Sequence, residues 1–451
     1  MKDASIRRVV SALVLACACG AVPAHAQAPL PGGAVATLPD ARVLTHREQA
    51  PIIKGWIQER FTRVLPALMR REGIDMWIVV TREYNDDPVF RSMSPLTTYA
   101  SRRRTIVVFH DRGPEAGVEA LSIGRFDYDG LYTVVRTSND GQWDGLRRLV
   151  GERNPTAIGV NMSATFAHAD GLSASERDAL MQALGPDYAP RVKSAEGLAV
   201  GWLETKLPEE TAAYTHVMKA AHAIIREAFS NAVITPGTTT TEDVVWWMRQ
   251  RVADQGLGGW FHPSVSIQRK GGVTLGDSVI RAGDLLHTDF GLIYLGLSTD
   301  TQHHAYVLAQ GETDAPAGIR AGLKAANRLQ DITMAHAKLG LTGNAALAGA
   351  LAQAKAEGLT PMIYCHPIGY HGHGAGPPIG MTDYQTGVPV NGEYIFRPDT
   401  WHSIELNVMH AVPEWDSQSV RFALEEDAGL FADGWRWIDG RQEALYLIKS
   451  R

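Results

Sequence analysis

The sequence predicts an α/β domain followed by an α+β domain. The chain has 451 residues, of which 45% are apolar and 20% charged, and such a composition is typical of globular proteins. Since a domain averages roughly 150 residues, this length predicts two or three of them. Helical and strand patterns alternate up to about residue 200, whereas the later helices come in pairs around a largely antiparallel sheet.

The first 26 residues have the three parts of an export signal. Lys2, Arg7 and Arg8 form a positive region, residues 9–22 are almost wholly apolar, and Ala24-His25-Ala26 is a small-x-small cleavage site. We therefore expect a signal peptide over 1–26 and an exported protein, periplasmic or secreted, with no membrane segment after cleavage. The net charge of −6, without a long basic run, argues against nucleic acid as a partner.

The segment after the signal divides into a lead-in and a first domain. Residues 27–47, rich in Pro, Gly and Ala, predict a flexible lead-in, and residues 48–202 predict the α/β domain. Within that domain, apolar residues at three- and four-residue spacing predict a helix that begins at about Glu48 and ends at Gly73. Short apolar runs at 76–80 and 105–109 predict buried strands.

Residues 203–451 predict the α+β domain. A helix is expected from about Pro208 to Asn231, and Thr239 with Glu242 is a candidate capping box for the next helix. The remaining segments alternate between strand-like and Ala-rich helical patterns. Strands are predicted at 262–268, 284–294 and 297–309, and helices at 316–338 and 343–357.

Two aspartates in strand-like segments are candidates for a metal site. Asp289 and Asp300 are eleven residues apart with Gly296 between them, so they can lie at facing positions of one hairpin. Like charges at facing positions repel unless a cation lies between them. Aspartates near turns are also common on protein surfaces, so this pair alone does not decide the matter.

Further candidate ligands follow in the C-terminal part. His366, His371 and His373 lie in one Gly-rich stretch, and Glu405 and Glu425 each lie within a strand-like segment. A carboxylate directed into a core is costly unless it is paired or bound to a metal. Four carboxylates and one imidazole suit two divalent ions such as Mn, Co, Zn or Fe. Cys365 beside them is interpreted as a packed thiol, because a Cys-His pair would not explain the acids.

Five motifs in order, AGDLLHTDFG, STDT, GHGAG, SIELN and ALEED, resemble those of the pita-bread metallopeptidases. This family includes methionine aminopeptidase, Xaa-Pro aminopeptidase and prolidase, and the preceding α/β unit resembles the creatinase-type N-terminal domain. The resemblance implies a pita-bread catalytic domain with two divalent metal ions. Manganese is the favoured metal. It further implies a peptide substrate, with Xaa-Pro aminopeptidase or prolidase-like activity, and it allows a homodimer.

The resemblance also implies a role for each matched residue. Asp289 would bind one metal terminally, Asp300 and Glu425 would bridge both ions, and Glu405 with an imidazole would hold the other. Glu405 would also act as the acid/base for a metal-bridging water. Gly372-His373-Gly374 matches the family pattern best, so His373 is the expected ligand. The neighbouring His371 and His366 are then candidates for catalytic contacts with the substrate.

The sequence departs from the family pattern at three places. The stretch 269–276 has no imidazole where the family has one, and Pro377-Pro378 replaces a second. The family's Asp-x-Thr-Arg-Thr segment reads Asp300-Thr-Gln-His-His304 here. Four histidines are candidates for the roles of the missing family residues: His303, His304, His366 and His371. Two alternatives remain: a non-peptidase hydrolase of other C–N bonds on the same fold, and a catalytically inactive exported binding protein.

Overall fold

The computed structural model describes residues 42–138 and 141–450. The predicted signal peptide over 1–26 lies outside the described residues, as does most of the predicted lead-in over 27–47. Within the described part of the chain, no helix combines the length and apolar composition that crossing a membrane requires.

The first part of the chain forms one mixed sheet with helices on both faces. Its sheet has the strand order β4-β3-β2-β1-β5-β6, in which β1 pairs antiparallel with β2 and parallel with β5. The elements in chain order are α1 (His46–Arg63), α2 (Leu65–Glu72), β1 (Met76–Arg82), α3 (Pro88–Arg91), β2 (Arg104–Asp111), β3 (Val118–Gly124), β4 (Thr133–Arg136), α4 (Gln142–Arg153), β5 (Ile158–Val160), α5 (Ala174–Tyr188), β6 (Val192–Ser194) and α6 (Glu196–Glu204).

Alternation along β1 explains why both faces of this sheet are covered. Trp77 and Val79 pack with residues of α1, α2 and α6, whereas Met76, Ile78 and Val80 pack with residues of α4 and α5. The predicted strands at 76–80 and 105–109 are therefore present as β1 and β2. The single helix expected from about Glu48 to Gly73 is divided between α1 and α2, and α2 is capped, as expected, at Gly73, which has a φ of 58°.

The second part combines helix pairs with small, largely antiparallel sheets. Its elements are α7 (Pro208–Ala228), α8 (Thr241–Asp254), β7 (Ser264–Gln268), β8 (Leu285–Phe290), β9 (Ile293–Tyr294), β10 (Leu297–Ser298), β11 (Thr301–Val307), α9 (Ala317–His336), α10 (Gly343–Ala356), β12 (Pro361–Ile363), β13 (His366–Pro367), β14 (Thr400–Ser403), β15 (Leu406–Val412), β16 (Gln418–Leu424), β17 (Asp427–Phe431), β18 (Gly434–Trp437) and β19 (Tyr446–Ile448).

Three of these sheets meet where the candidate ligands lie. Their strand orders are β19-β11-β8-β7, β12-β15-β16 and β13-β14-β17-β18. A bridge between Gln302 and Glu425 joins the first sheet to the segment between β16 and β17. Helices α7 and α8 pack on one side of the sheets, and α9 and α10 pack on the other. The observed architecture confirms an α/β domain followed by an α+β domain. The predicted boundary near residue 202 falls inside α6 and stays a prediction.

Candidate metal centre

Two aspartates lie on, or directly before, neighbouring strands of one sheet. Asp289 is on β8, where it pairs with Gln302 of β11, and Asp300 directly precedes β11. The expected hairpin is present, but its register differs from the facing arrangement predicted for the two acids. The tight turn that pairs Tyr294 with Leu297 sets this register and makes the aspartates diagonal neighbours. One carboxylate oxygen of each still lies within 4.8 Å of an oxygen of Glu425.

Three further side chains come from the other two sheets. Glu425 directly follows β16, Glu405 lies between β14 and β15, and His366 begins β13. Ligand atoms of His366, Glu405 and Glu425 lie within 4.8 Å of one another. The His366 Nε2 atom is 3.2 Å from Glu425 Oε1 and 3.5 Å from Asp300 Oδ2. Four acids and one imidazole, separated by up to 136 residues in the sequence, therefore converge on one place.

The electrostatics of this cluster favour a bound cation. Burial and the charge of Glu425 raise the pKa of Asp289 to about 7, and the same two causes raise the pKa of Asp300 and of Glu405 well above the usual range. Among the described residues, the Oδ1 atoms of Asp289 and Asp300 are buried without a hydrogen-bond partner. Buried, unpartnered acid oxygens beside an imidazole fit a pair of divalent ions.

The three imidazoles of the Gly-rich stretch lie in different environments. His366 joins Glu405 and Glu425, because β13 pairs with β14 and holds it there. His373 is exposed. Its ligand atom lies within 4.8 Å of ligand atoms of Asp300 and His366, but it is not grouped with Glu405 or Glu425. His371 packs against His168 of the first domain, with ring centroids 4.8 Å apart. Burial and the neighbouring His168 lower the pKa of His371 to about 4.

Two other imidazoles that were candidates for vacated roles have partners elsewhere. His304 is bonded through Nδ1 to the Leu286 carbonyl, 3.0 Å away, and its Nε2 accepts a hydrogen bond from the Ala423 N–H. His303 is directed to Glu426 on the opposite face of the strand. The hypothesis that these two imidazoles reach the site is therefore wrong, since their side chains are held within the core.

Three polar residues at the site were missed by the sequence analysis. Gln302 donates from Nε2 to Glu405 Oε1 at 2.5 Å and to Glu425 Oε2 at 3.0 Å. Ser403 donates to Glu425 Oε1 at 2.6 Å, and His287 is bonded to Gln302 Oε1 at 2.9 Å. The sequence could have revealed them, because each is two positions from a predicted ligand. In an extended strand, residues two positions apart point to the same face.

A cavity of about 550 Å³ opens beside these residues. Asp289, Gln302 and Glu405 form part of its wall, together with Tyr364 and Arg421. The Arg421 guanidinium donates to the Tyr364 hydroxyl at 2.7 Å. The volume falls within the range of small-molecule sites, so a short ligand placed here would contact the converging acids.

The sequence and the fold were compared with known proteins. Residues 216–428 match the model of metallopeptidase family M24. The comparison with curated proteins found no significant match. The match confirms the predicted family for residues 216–428, whereas the site assignments and the domain boundaries stay predictions.

Solved structures show the same fold. An X-Pro aminopeptidase from Thermotoga maritima superimposes with a TM-score of 0.61 at 15% identity, over 84% of this chain and 99% of the other. An Xaa-Pro dipeptidase from Bacillus anthracis gives 0.54 at 17% identity, over 88% and 99% of the two chains. The N-terminal domain of the FACT complex subunit SPT16 from Cicer arietinum gives 0.55 at 11% identity, over 88% and 99%. The predicted fold class is thereby confirmed.

Proposed function

Since residues 216–428 belong to metallopeptidase family M24, we propose that this protein is a dinuclear metal-dependent peptidase acting beside proline. Its substrate would be a peptide, cleaved as by an Xaa-Pro aminopeptidase or a prolidase-like dipeptidase. The single observation that carries the proposal is the convergence of four acids and one imidazole, each buried or half-buried, on one place. The names of the two peptidases with the same fold support the preference for proline.

Five residues would hold the two ions. Asp289, Asp300 and Glu425 form one ligand group, and His366, Glu405 and Glu425 form the other, with Glu425 common to both. The geometry thus favours His366, and not the expected His373, as the imidazole ligand. Two divalent ions so held polarise a carbonyl oxygen and lower the pKa of a water molecule. Manganese is the favoured metal, because carboxylates dominate this ligand set.

Glu405 is proposed to move the proton during hydrolysis. It lies on the wall of the cavity, and the Gln302 amide holds its Oε1 atom at 2.5 Å. Gln302 also holds Glu425, so one amide sets the distance between the two carboxylates. Neutral His287, whose pKa is lowered well below its usual value by burial and by His304, orients that amide. His373 and His371 are left as residues for contact with the substrate or for positioning the loop.

The position of Arg421 favours a short peptide as the substrate. Its guanidinium lies on the cavity wall with Asp289 and Glu405. A short peptide bound near the acids would bring its terminal carboxylate within reach of this cation. We therefore include dipeptides as well as longer peptides among the substrates to be compared.

Export and assembly belong to the same proposal. The positive region, the apolar segment and the Ala24-His25-Ala26 site support a signal peptide and a periplasmic or secreted location. N-terminal sequencing of the protein recovered outside the cytoplasm would test this, and we expect Gln27 as the first residue.

A homodimer is proposed as the assembly. Light scattering coupled to size-exclusion chromatography would measure the molar mass in solution.

Metal analysis combined with an activity panel tests the function. The purified protein should contain up to two tightly bound divalent ions at this centre and release products from Xaa-Pro dipeptides or longer peptides when manganese is added. Asp300→Ala should lose metal and activity while keeping the native circular dichroism spectrum. Asp178→Ala, whose side chain is 77% exposed, is the matched control. Bound metal without hydrolysis of any Xaa-Pro peptide would favour a binding protein or a hydrolase of other C–N bonds.

A further inference from the structure

A second cluster of ligand-type residues lies on the other face of the strands that form the candidate metal centre. Gln302 and Glu425 are directed to that centre. The next residues in the sequence, His303 and Glu426, are directed the opposite way, since successive side chains of extended chain alternate between faces. There they meet His222, which is carried by α7. The cluster joins a helix and two chain segments that are far apart in the sequence.

The three side chains present their ligand atoms to one another. Glu426 Oε2 is 3.0 Å from His222 Nε2, and Glu426 Oε1 is 2.5 Å from His303 Nε2. One ligand atom from each of the three residues lies within 4.8 Å of the others. The two imidazole rings stack with centroids 5.3 Å apart. All three residues are buried, and Glu426 is only 1% exposed.

The outer nitrogen of each imidazole is held by a polar partner. His222 Nδ1 is 3.0 Å from Asp439 Oδ2, and His303 Nδ1 is 3.2 Å from the Tyr446 hydroxyl. Imidazoles that bind metals almost always bond their second nitrogen in this way, which fixes the ring and directs the free nitrogen to the ion. Both rings of this cluster therefore have the orientation that a shared ion between their Nε2 atoms requires.

We propose that His222, His303 and Glu426 bind a third divalent cation, separate from the two ions of the candidate metal centre. Two imidazoles and one carboxylate form a ligand set that suits zinc. With neutral imidazoles, the two carboxylates Glu426 and Asp439 carry two negative charges, which one divalent ion neutralises in a buried site. The ion would connect α7 to β11 and to the segment that carries Glu425, so its role is structural.

The opposing state of the cluster holds a proton in place of the metal. His222 would then be an imidazolium between Glu426 and Asp439, and the hydrogen bonds described above would complete the cluster. The two states make different predictions about bound zinc, because a protonated imidazole cannot bind a metal.

Anomalous scattering at the zinc edge decides between these states. Crystals of the full-length wild-type protein, stripped of metal and soaked in zinc chloride, should show a peak between His222, His303 and Glu426. Because this test uses the unaltered protein, no folding defect can obscure it. Absence of a peak there would overturn the proposal, whatever is bound at the other centre. A peak there with none between Asp289, Asp300 and Glu425 would uphold this inference and count against the proposed peptidase centre.

A substitution gives an independent count of the bound ions. After removal of loose metal, His222→Gln should contain one zinc ion per chain fewer than the wild type, as measured by mass spectrometry of the metal. His336→Gln is the matched control, since His336 is a helix residue that is hydrogen-bonded to Gln353. Equal zinc content in folded His222→Gln and wild type would contradict the proposal.

Discussion

Glu405 combines two requirements in one side chain. Its carboxyl group lies within 4.8 Å of ligand atoms of His366 and Glu425, and it also forms part of the cavity wall. A metal ligand without access to the cavity could not exchange a proton with a bound substrate. We therefore expect that removing its acidity separates proton transfer from metal binding.

Glu405→Gln should lower kcat by at least about 100-fold, because general acid–base catalysis contributes that much or more. The amide retains one oxygen ligand, so metal content should fall less than in Asp300→Ala. Steady-state kinetics on an Xaa-Pro peptide, with metal analysis of the same sample, measures both quantities. Glu443→Gln, whose side chain is 77% exposed, serves as the control. Wild-type kcat in Glu405→Gln would show that the proton is moved by another group.

His402 is a buried imidazole that is kept neutral by its surroundings. Its Nε2 atom donates to the Pro377 carbonyl at 3.0 Å, and its ring packs against Phe396 and Trp435. Burial lowers its pKa to about 3. Between pH 6.5 and about 3 the unfolded chain therefore binds a proton that the folded chain does not bind, and the free energy of unfolding falls as the pH falls.

His402→Gln should make the stability of the protein less sensitive to acid. The variant keeps a donor for Pro377 but has no imidazole, so its destabilisation should shrink between pH 6.5 and 4.5. The slope of unfolding free energy against pH should decrease by as much as about 1.4 kcal/mol per pH unit. Urea unfolding at several pH values measures it, with His410→Gln on β15 as the control. Parallel curves for wild type and His402→Gln would contradict the assignment.

At the scale of elements, the Gly-rich stretch after β13 is held in a tightly folded loop. A side chain on Gly372 would place its Cβ 2.3 Å from the Trp260 ring, and the Gly374 N–H donates to the Pro367 carbonyl at 2.7 Å. The chain is thus folded back tightly onto itself and onto Trp260. The GHGAG motif favoured His373 of this loop as the ligand, whereas the fold places His366 of the preceding strand beside Glu405 and Glu425.

The start of α8 shows a shift of one residue between pattern and structure. The expected capping box paired Thr239 with Glu242, whereas the structure pairs Thr240 with Asp243. The Thr240 hydroxyl accepts from the Asp243 N–H at 3.1 Å, and Asp243 Oδ2 accepts from the Thr240 N–H at 2.8 Å. Thr239 instead accepts from the Thr235 N–H in the preceding turn. Consecutive threonines followed by two acids fit either frame locally, and the turn selects one.

Thr240→Ala should destabilise the first turn of α8. Loss of the capping hydroxyl costs about 1 kcal/mol, because an N–H of the first turn is left without its partner. Hydrogen exchange at the amides of residues 241–243 should quicken accordingly. The neighbouring Thr238→Ala is the control, since Thr238 is exposed and makes only a backbone bond. Equal exchange rates in both variants would place the cap elsewhere.

At the scale of the whole molecule, one buried ion pair ties the first domain to the second. Arg60 of α1 donates to Glu210 of α7 at 3.0 Å, and both side chains are fully buried. The guanidinium also lies 4.3 Å from the centroid of the Trp202 ring, and Glu210 accepts from the Tyr370 hydroxyl. Tyr370 belongs to the Gly-rich loop. The contact therefore links domain packing to the loop beside the candidate metal centre.

Arg60→Met should lower the free energy of unfolding by about 3–5 kcal/mol, because it leaves Glu210 buried without its charged partner. Arg63→Met is the matched control three residues along the same helix. The Arg63 side chain is 42% exposed in its pair with Glu209, so its loss should cost less than about 1 kcal/mol. Urea unfolding measures both variants. Equal destabilisation would mean that the buried pair does not hold the domains together.

The sequence by itself predicted the order of the architecture and the four acids of the candidate metal centre. Strands such as β1 and β2 were predictable because a short run of apolar residues indicates a buried strand. The four acids Asp289, Asp300, Glu405 and Glu425 were noticed because each lies in a strand-like segment. Their side chains converge in the structure. The domain boundary and the roles of these residues stay predictions.

Only the tertiary structure shows that His366 lies beside Glu405 and Glu425, that the Gln302 amide contacts both acids, and that His222, His303 and Glu426 cluster on the opposite face. Each depends on contacts between residues that are far apart in the chain, such as the 204 positions between His222 and Glu426. Local patterns report whether a side chain is buried. Which partner it meets there depends on strand register and on the packing of helices, and both are set by the whole chain.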